Sequence, residues 1–95
     1  MPADRERAAR VLVVDDEYDI ASTIAEVLYV EGYRVAVACD GVHAFEQIPR
    51  FNPDLILLDL MMPRMNGFEV LERLREERCV TPVVVVSANQ GTTPI

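Results

Sequence analysis

The sequence contains no lysine. Its nine basic residues are all arginine, they face sixteen acids, and the net charge is −7. Without a basic footprint, direct binding of DNA or RNA is excluded from the expected functions. Cysteine is scarce. Cys39 and Cys79 share no metal or redox spacing and read as free core thiols in a reducing compartment. The one histidine, His43, lies among polar neighbours and reads as a surface residue. No apolar run is long enough to span a membrane and no signal segment is recognisable, so the expected compartment is the cytoplasm. Of the 95 residues, 51% are hydrophobic, which suffices for one small core and is too much for a disordered chain.

What is present is organised around residues 54–67. Leu55 to Leu58 form a short apolar run with Pro53 before it and Asp59 after it. Such a run between breakers fits a strand buried on both faces. A carboxylate where that strand leaves the sheet is costly unless it is solvated, paired or metal-bound. Met62-Pro63 forces an extended exit, and Asn66-Gly67 prepares a turn into a helix.

The remaining chain repeats this alternation. Residues 1–9 read as a flexible leader to a domain over 10–95. Val11–Val14 is a second buried strand, ending in Asp15-Asp16-Glu17. Ile20, Ile24, Val27 and Leu28 recur at helical spacing over Tyr18–Glu31, with Gly32 as the stop. Tyr33–Ala38 is β-rich. Asp40 is placed to cap a short helix over Gly41–Ile48, with Ala44, Phe45 and Ile48 inward and Pro49 and Pro53 bracketing its end. Asn66 and Glu69 have capping-box spacing before a helix that turns Val70, Leu71 and Leu74 inward and leaves a charged wet face. Thr81-Pro82 opens Val83–Val86, the most hydrophobic strand and central in character.

Strands separated by helices imply right-handed crossovers and a parallel sheet with helices on both faces. Ligands of such sheets collect beyond the carboxyl ends of the strands, which places Asp15, Asp16, Asp59 and Ser87 on one rim. Taken singly, an Asp-Asp pair is a common helix start, Asp59 a loop cap and Ser87 a turn residue. Together they suit Mg2+, a hard cation that takes a few carboxylates, waters and phosphate oxygens. Asp16 and Asp59 are then direct ligands, Asp15 a direct or water-mediated one, and a main-chain carbonyl just after Asp59 a further oxygen. Asp59 becomes a nucleophile toward a phosphoryl group, which Ser87 hydrogen-bonds.

At these residues the chain resembles the receiver domain of two-component response regulators, from about Arg10 to Ala88. The resemblance rests on Val-Leu-Val-Val-Asp-Asp-Glu at 11–17, Asp-Gly at 40–41, the stretch 53–67, and Thr-Pro-Val-Val-Val-Val-Ser-Ala at 81–88. It implies a flavodoxin-like, doubly wound α/β fold with strand order 2-1-3-4. It implies that Asp59 takes a phosphoryl group from a histidine kinase or phosphotransfer protein. Asp15 and Asp16 become the acidic pair for Mg2+, the main-chain oxygen of Met61 completes the protein ligands, and Ser87 is the hydroxyl that moves onto the phosphoryl group. Pro63 and Gly67 match the family's loop after the phosphoacceptor.

The sequence departs from the family at its end. Receivers continue with a helix, a fifth strand ending in a lysine, and a last helix, all missing here. The expectation is an incomplete receiver, first of all a fragment of a longer regulator, with self-association through the exposed edge of strand 83–86. The alternative is a phosphorylation-silent interaction or oligomerisation module. A haloacid-dehalogenase-like hydrolase ranks below both, because Met61 stands where that family has a second aspartate.

Overall fold

A computed structural model describes residues 8–59 and 67–86. Four strands and three helices alternate: β1 (Arg10–Val14), α1 (Tyr18–Val30), β2 (Arg34–Ala38), α2 (Gly41–Phe51), β3 (Leu55–Asp59), α3 (Gly67–Glu76) and β4 (Val83–Val86). The strands form one sheet in the order β2-β1-β3-β4, every pair parallel. The flavodoxin-like α/β architecture is therefore the observed one.

Val11–Val14 and Leu55–Leu58, the apolar runs of the two central strands, turn alternate side chains to the two faces of the sheet. Leu12, Val14, Ile56 and Leu58 pack under α2 and α3 with Ala44, Val70 and Leu74. Val11 and Val13 pack on the other face against Ala21, with Ile24 and Leu28 of α1 partly buried beside them. The two amino ends are clamped. The Arg10 N–H donates to Asp54 Oδ2 at 2.8 Å, and the Asp54 N–H donates back to the Arg10 carbonyl at 2.7 Å.

Several sequence expectations change in the fold. The apolar repeat of α1 is only half used: Ile24 and Leu28 reach the core, whereas Ile20 is 39% exposed and Val27 57%. Helix α2 does not stop before Pro49 but runs through it to Phe51. The proline lies inside the last turn, where it removes one helical N–H donor without stopping the helix, and the helix ends instead at Asn52, with φ 53° and its N–H on the Ile48 carbonyl at 2.8 Å. Cys39 is exposed just after β2 and is not a core thiol, whereas Cys79 packs against the α2–α3 core. Strand β4 is not central among the described residues. It pairs only with β3, and Val84, Val85 and Val86 remain exposed. Asn66 lies outside the described residues.

Candidate functional site

The rim at the carboxyl ends of β1 and β3 gathers three acids. The β1 ladder continues one residue beyond the strand, because the Asp15 N–H donates to the Ala38 carbonyl at 3.0 Å. This holds Asp15 at 8% exposure, while Asp16 turns out to solvent. Register pairs Val14 with Leu58, so Asp59 ends β3 one step beyond the same level, at 7% exposure. Carboxylate oxygens of Asp15, Asp16 and Asp59 all lie within 4.8 Å of one another.

Asp15 also starts the next helix. Its Oδ1 accepts the Glu17 N–H at 2.9 Å, which turns the chain into α1, where Glu17 is an N-cap without a side-chain cap bond of its own. The helix-start reading of the acidic pair and the site reading thus hold together. Two negative charges 4.8 Å apart repel by about 3 kcal/mol at an effective dielectric near 20, and a cation among the carboxylates offsets such repulsion. Two buried carboxylates and one open to water form an all-oxygen, hard donor set with a solvent side, which fits Mg2+ with its retained waters.

Beside the rim, the start of α2 is fixed by a small polar network that the sequence did not reveal. Asp40 Oδ1 accepts the His43 N–H at 2.8 Å, the cap expected from its position. His43 Nδ1 in turn accepts the Cys39 N–H at 3.2 Å. On the other side of the ring, His43 Nε2 lies 3.2 Å from Gln47 Nε2. His43 is half-buried and braces the β2–α2 turn; it is not a loose surface residue. Its helical spacing of four from Gln47 was one signal, and nothing in the sequence signals the bond to the Cys39 N–H. Met61 and Ser87, the other expected site residues, and Pro63 lie outside the described residues, whereas Gly67 opens α3 and is buried.

The profile of the response regulator receiver domain matches residues 11–94. The chain belongs to that family. It is similar to the DNA-binding response regulator MtrA of Mycobacterium tuberculosis (strain ATCC 25618 / H37Rv), with 42% identity over 86 residues, covering 90% of this chain and 37% of that protein. Response regulator MprA of Mycobacterium leprae is 38% identical over 84 residues, 88% of this chain and 37% of that protein. The chain thus spans little more than a third of the length of these curated relatives. Among solved structures, the receiver domain of Francisella response regulator 1452 superposes with a TM-score of 0.81 at 38% identity, over 88% of this chain and 69% of that one. Response regulator TrrA of Thermotoga maritima, solved in complex with Mg2+ and BeF, gives 0.79 at 34% identity, over 86% and 71%. Receiver domains of two-component systems generally use Mg2+ at an acidic pocket, and Asp15, Asp16 and Asp59 form an acidic cluster compatible with one. No described helix is long and apolar enough to cross a membrane.

Proposed function

We propose that residues 10–95 act as a receiver unit whose Asp59 accepts a phosphoryl group from the phosphohistidine of a histidine kinase or phosphotransfer protein. The observation that carries this reading is the convergence of three carboxylates within 4.8 Å, with Asp59 buried at the end of a central strand. In the transfer, an Asp59 carboxylate oxygen forms the new bond to phosphorus, the phosphorus–nitrogen bond breaks, and the donor imidazole leaves. Asp15, Asp16 and Asp59, with the main-chain oxygen of Met61, would hold Mg2+, which when bound supplies positive charge against the transferred oxygens. Ser87 is assigned the hydroxyl that meets the phosphoryl group afterwards. The only chemistry of the chain is on itself, in the cytoplasm, through gain and loss of this group. The edge at Val83–Val86 is the surface for self-association. We assign the chain no contact with nucleic acid, because its acids outnumber its bases sixteen to nine. The acidic cluster is intact, and that favours the phosphoacceptor over a silent module.

The test is intact mass after incubation with Mg2+ and acetyl phosphate. One added phosphoryl group is expected in the parent chain and none in Asp59→Asn, with both folded by circular dichroism. Equal incorporation in the variant removes Asp59 from its role; no incorporation in the folded parent favours the silent module. In a calorimetric Mg2+ titration, Asp16→Ala is expected to bind at least tenfold more weakly. An unchanged isotherm takes Asp16 out of the site.

A further inference from the structure

Strand β2 is a sheet edge, and its backbone orientation can be read from two bonds. The Arg34 N–H donates to the Ala9 carbonyl at 2.9 Å, and the Ala38 carbonyl accepts from the Asp15 N–H at 3.0 Å. In a parallel ladder the N–H and C=O of one residue face the same neighbour, and successive residues alternate. Arg34, Ala36 and Ala38 therefore bond toward β1. Val35 and Val37 direct their N–H and C=O groups away from the sheet, and no described strand lies on that side.

The side chains of the same two valines line a cleft. It has a volume of about 310 Å3 and is bounded by Tyr18, Ser22, Glu26 and Tyr29 of α1 and by Val35 and Val37 of β2. A groove between an edge strand and a helix is the geometry in which an added strand gains main-chain bonds while its alternate side chains enter the groove. The charge around it has one sign. From Glu17 to Glu31 the chain carries Glu17, Asp19, Glu26 and Glu31 and no basic residue. Arg34, the nearest cation in sequence on β2, alternates to the opposite face with Ala36, which packs on the α2–α3 core. Tyr29, exposed and one turn from Glu26, can set its ring beside a cation held there, while Tyr18 bounds the far end of the cleft.

We propose that this cleft takes an extended basic segment of a partner protein, which adds a strand to the β2 edge and sets an arginine or lysine side chain against Glu26 beside Tyr29. A second copy is the poorer occupant, since it brings the same acidic helix and a net charge of −7. The acidic rim is not involved, so this surface stands whether or not Asp59 is phosphorylated.

The probes are four end-blocked, fluorescein-labelled heptapeptides of alternating threonine and valine, with arginine, lysine, leucine or glutamate at the centre. They are titrated into the 95-residue chain by fluorescence anisotropy, with backbone amide shifts followed by NMR. The arginine and lysine peptides are expected to bind at least tenfold more tightly than the glutamate peptide, to weaken as salt rises, and to shift the Val35 and Val37 amides. Glu26→Gln is expected to reduce the preference for arginine over leucine about fivefold with the rest of the spectrum unchanged. Ser22→Leu, which narrows the cleft from a half-buried position on α1, is expected to weaken all the peptides. Equal binding of the arginine and glutamate peptides overturns the proposal, as does tightest binding by the leucine peptide. It is equally overturned by shifts that spare Val35 and Val37, by no binding at millimolar peptide, or by a concentration-dependent dimer that protects those two amides without peptide.

Discussion

The two faces of the sheet are built unequally. Under α2 and α3, eight buried residues form one continuous cluster that joins three strands and two helices. Under α1, the buried set is Val11, Val13 and Ala21, and everything around it is only partly covered. Both faces start from the same kind of strand, so the difference comes from the covering layer. Two helices with inward Ala44, Ile48, Val70 and Leu74 close one side. Among the described residues, a single helix lies over β1 and β2, and none covers the other side of β3 and β4. Register puts Val84 beside Leu57 on that open face, and Val84 is 46% exposed. The sheet is thus anchored from one side and presents its other side.

The largest effect should come from breaking the closed face. Leu58 is fully buried there, and Leu58→Ala is expected to cost about 2–5 kcal/mol, a large part of the ~5–15 kcal/mol that holds a domain of this kind together. Urea unfolding would read it directly. The matching deletion on the open face, Ile24→Ala, removes a side chain that is only partly buried, and about 1 kcal/mol is expected. Equal losses would show that α1 seals its face as fully as α2 and α3 do, and the inequality would fall.

The same asymmetry sets what could be read from sequence. The strands were legible because apolar runs end at Pro53, Pro82, Asp15 and Asp59, and those ends are physical stops. The acidic cluster followed from them, since parallel strands deliver their carboxyl ends to one rim. Helix α1 was legible in extent but not in burial. Its apolar repeat says which positions share a face, and only the number of covering helices decides whether Ile20 and Val27 are buried. The end of α2 was misread because Pro49 was taken as a stop, whereas a proline that removes one helical N–H near the end leaves the remaining bonds, up to the Asn52 N–H on the Ile48 carbonyl, in place. The His43 brace was illegible because it depends on the ring folding back to the Cys39 N–H, which composition and periodicity do not encode.

A smaller effect separates the two faces at their helix ends. Helix α1 closes with the Gly32 N–H on the Tyr29 carbonyl and the Tyr33 N–H on the Leu28 carbonyl, at 3.0 and 3.1 Å. Helix α3 closes with the same pair of bonds, from the Arg78 N–H to the Arg75 carbonyl at 3.0 Å and from the Cys79 N–H to the Leu74 carbonyl at 2.9 Å. The first uses glycine at φ 106°; the second forces an arginine to φ 57°. A side chain in the left-handed region costs about 1–2 kcal/mol relative to glycine, and glycine itself loses about 0.5–1 kcal/mol of chain entropy on folding. On the closed face the strain is tolerated because Cys79, the next residue, packs into the core and holds the turn. Arg78→Gly should therefore stabilise the protein by about 0.5 kcal/mol, and Gly32→Ala should destabilise it by about 1 kcal/mol. Both are measurable as shifts of the urea midpoint at constant slope. If Arg78→Gly gives no gain, the turn after α3 is held by the Cys79 anchor so firmly that backbone preference no longer matters there. If Gly32→Ala is neutral, the end of α1 relaxes without loss, as the loosely covered face would allow.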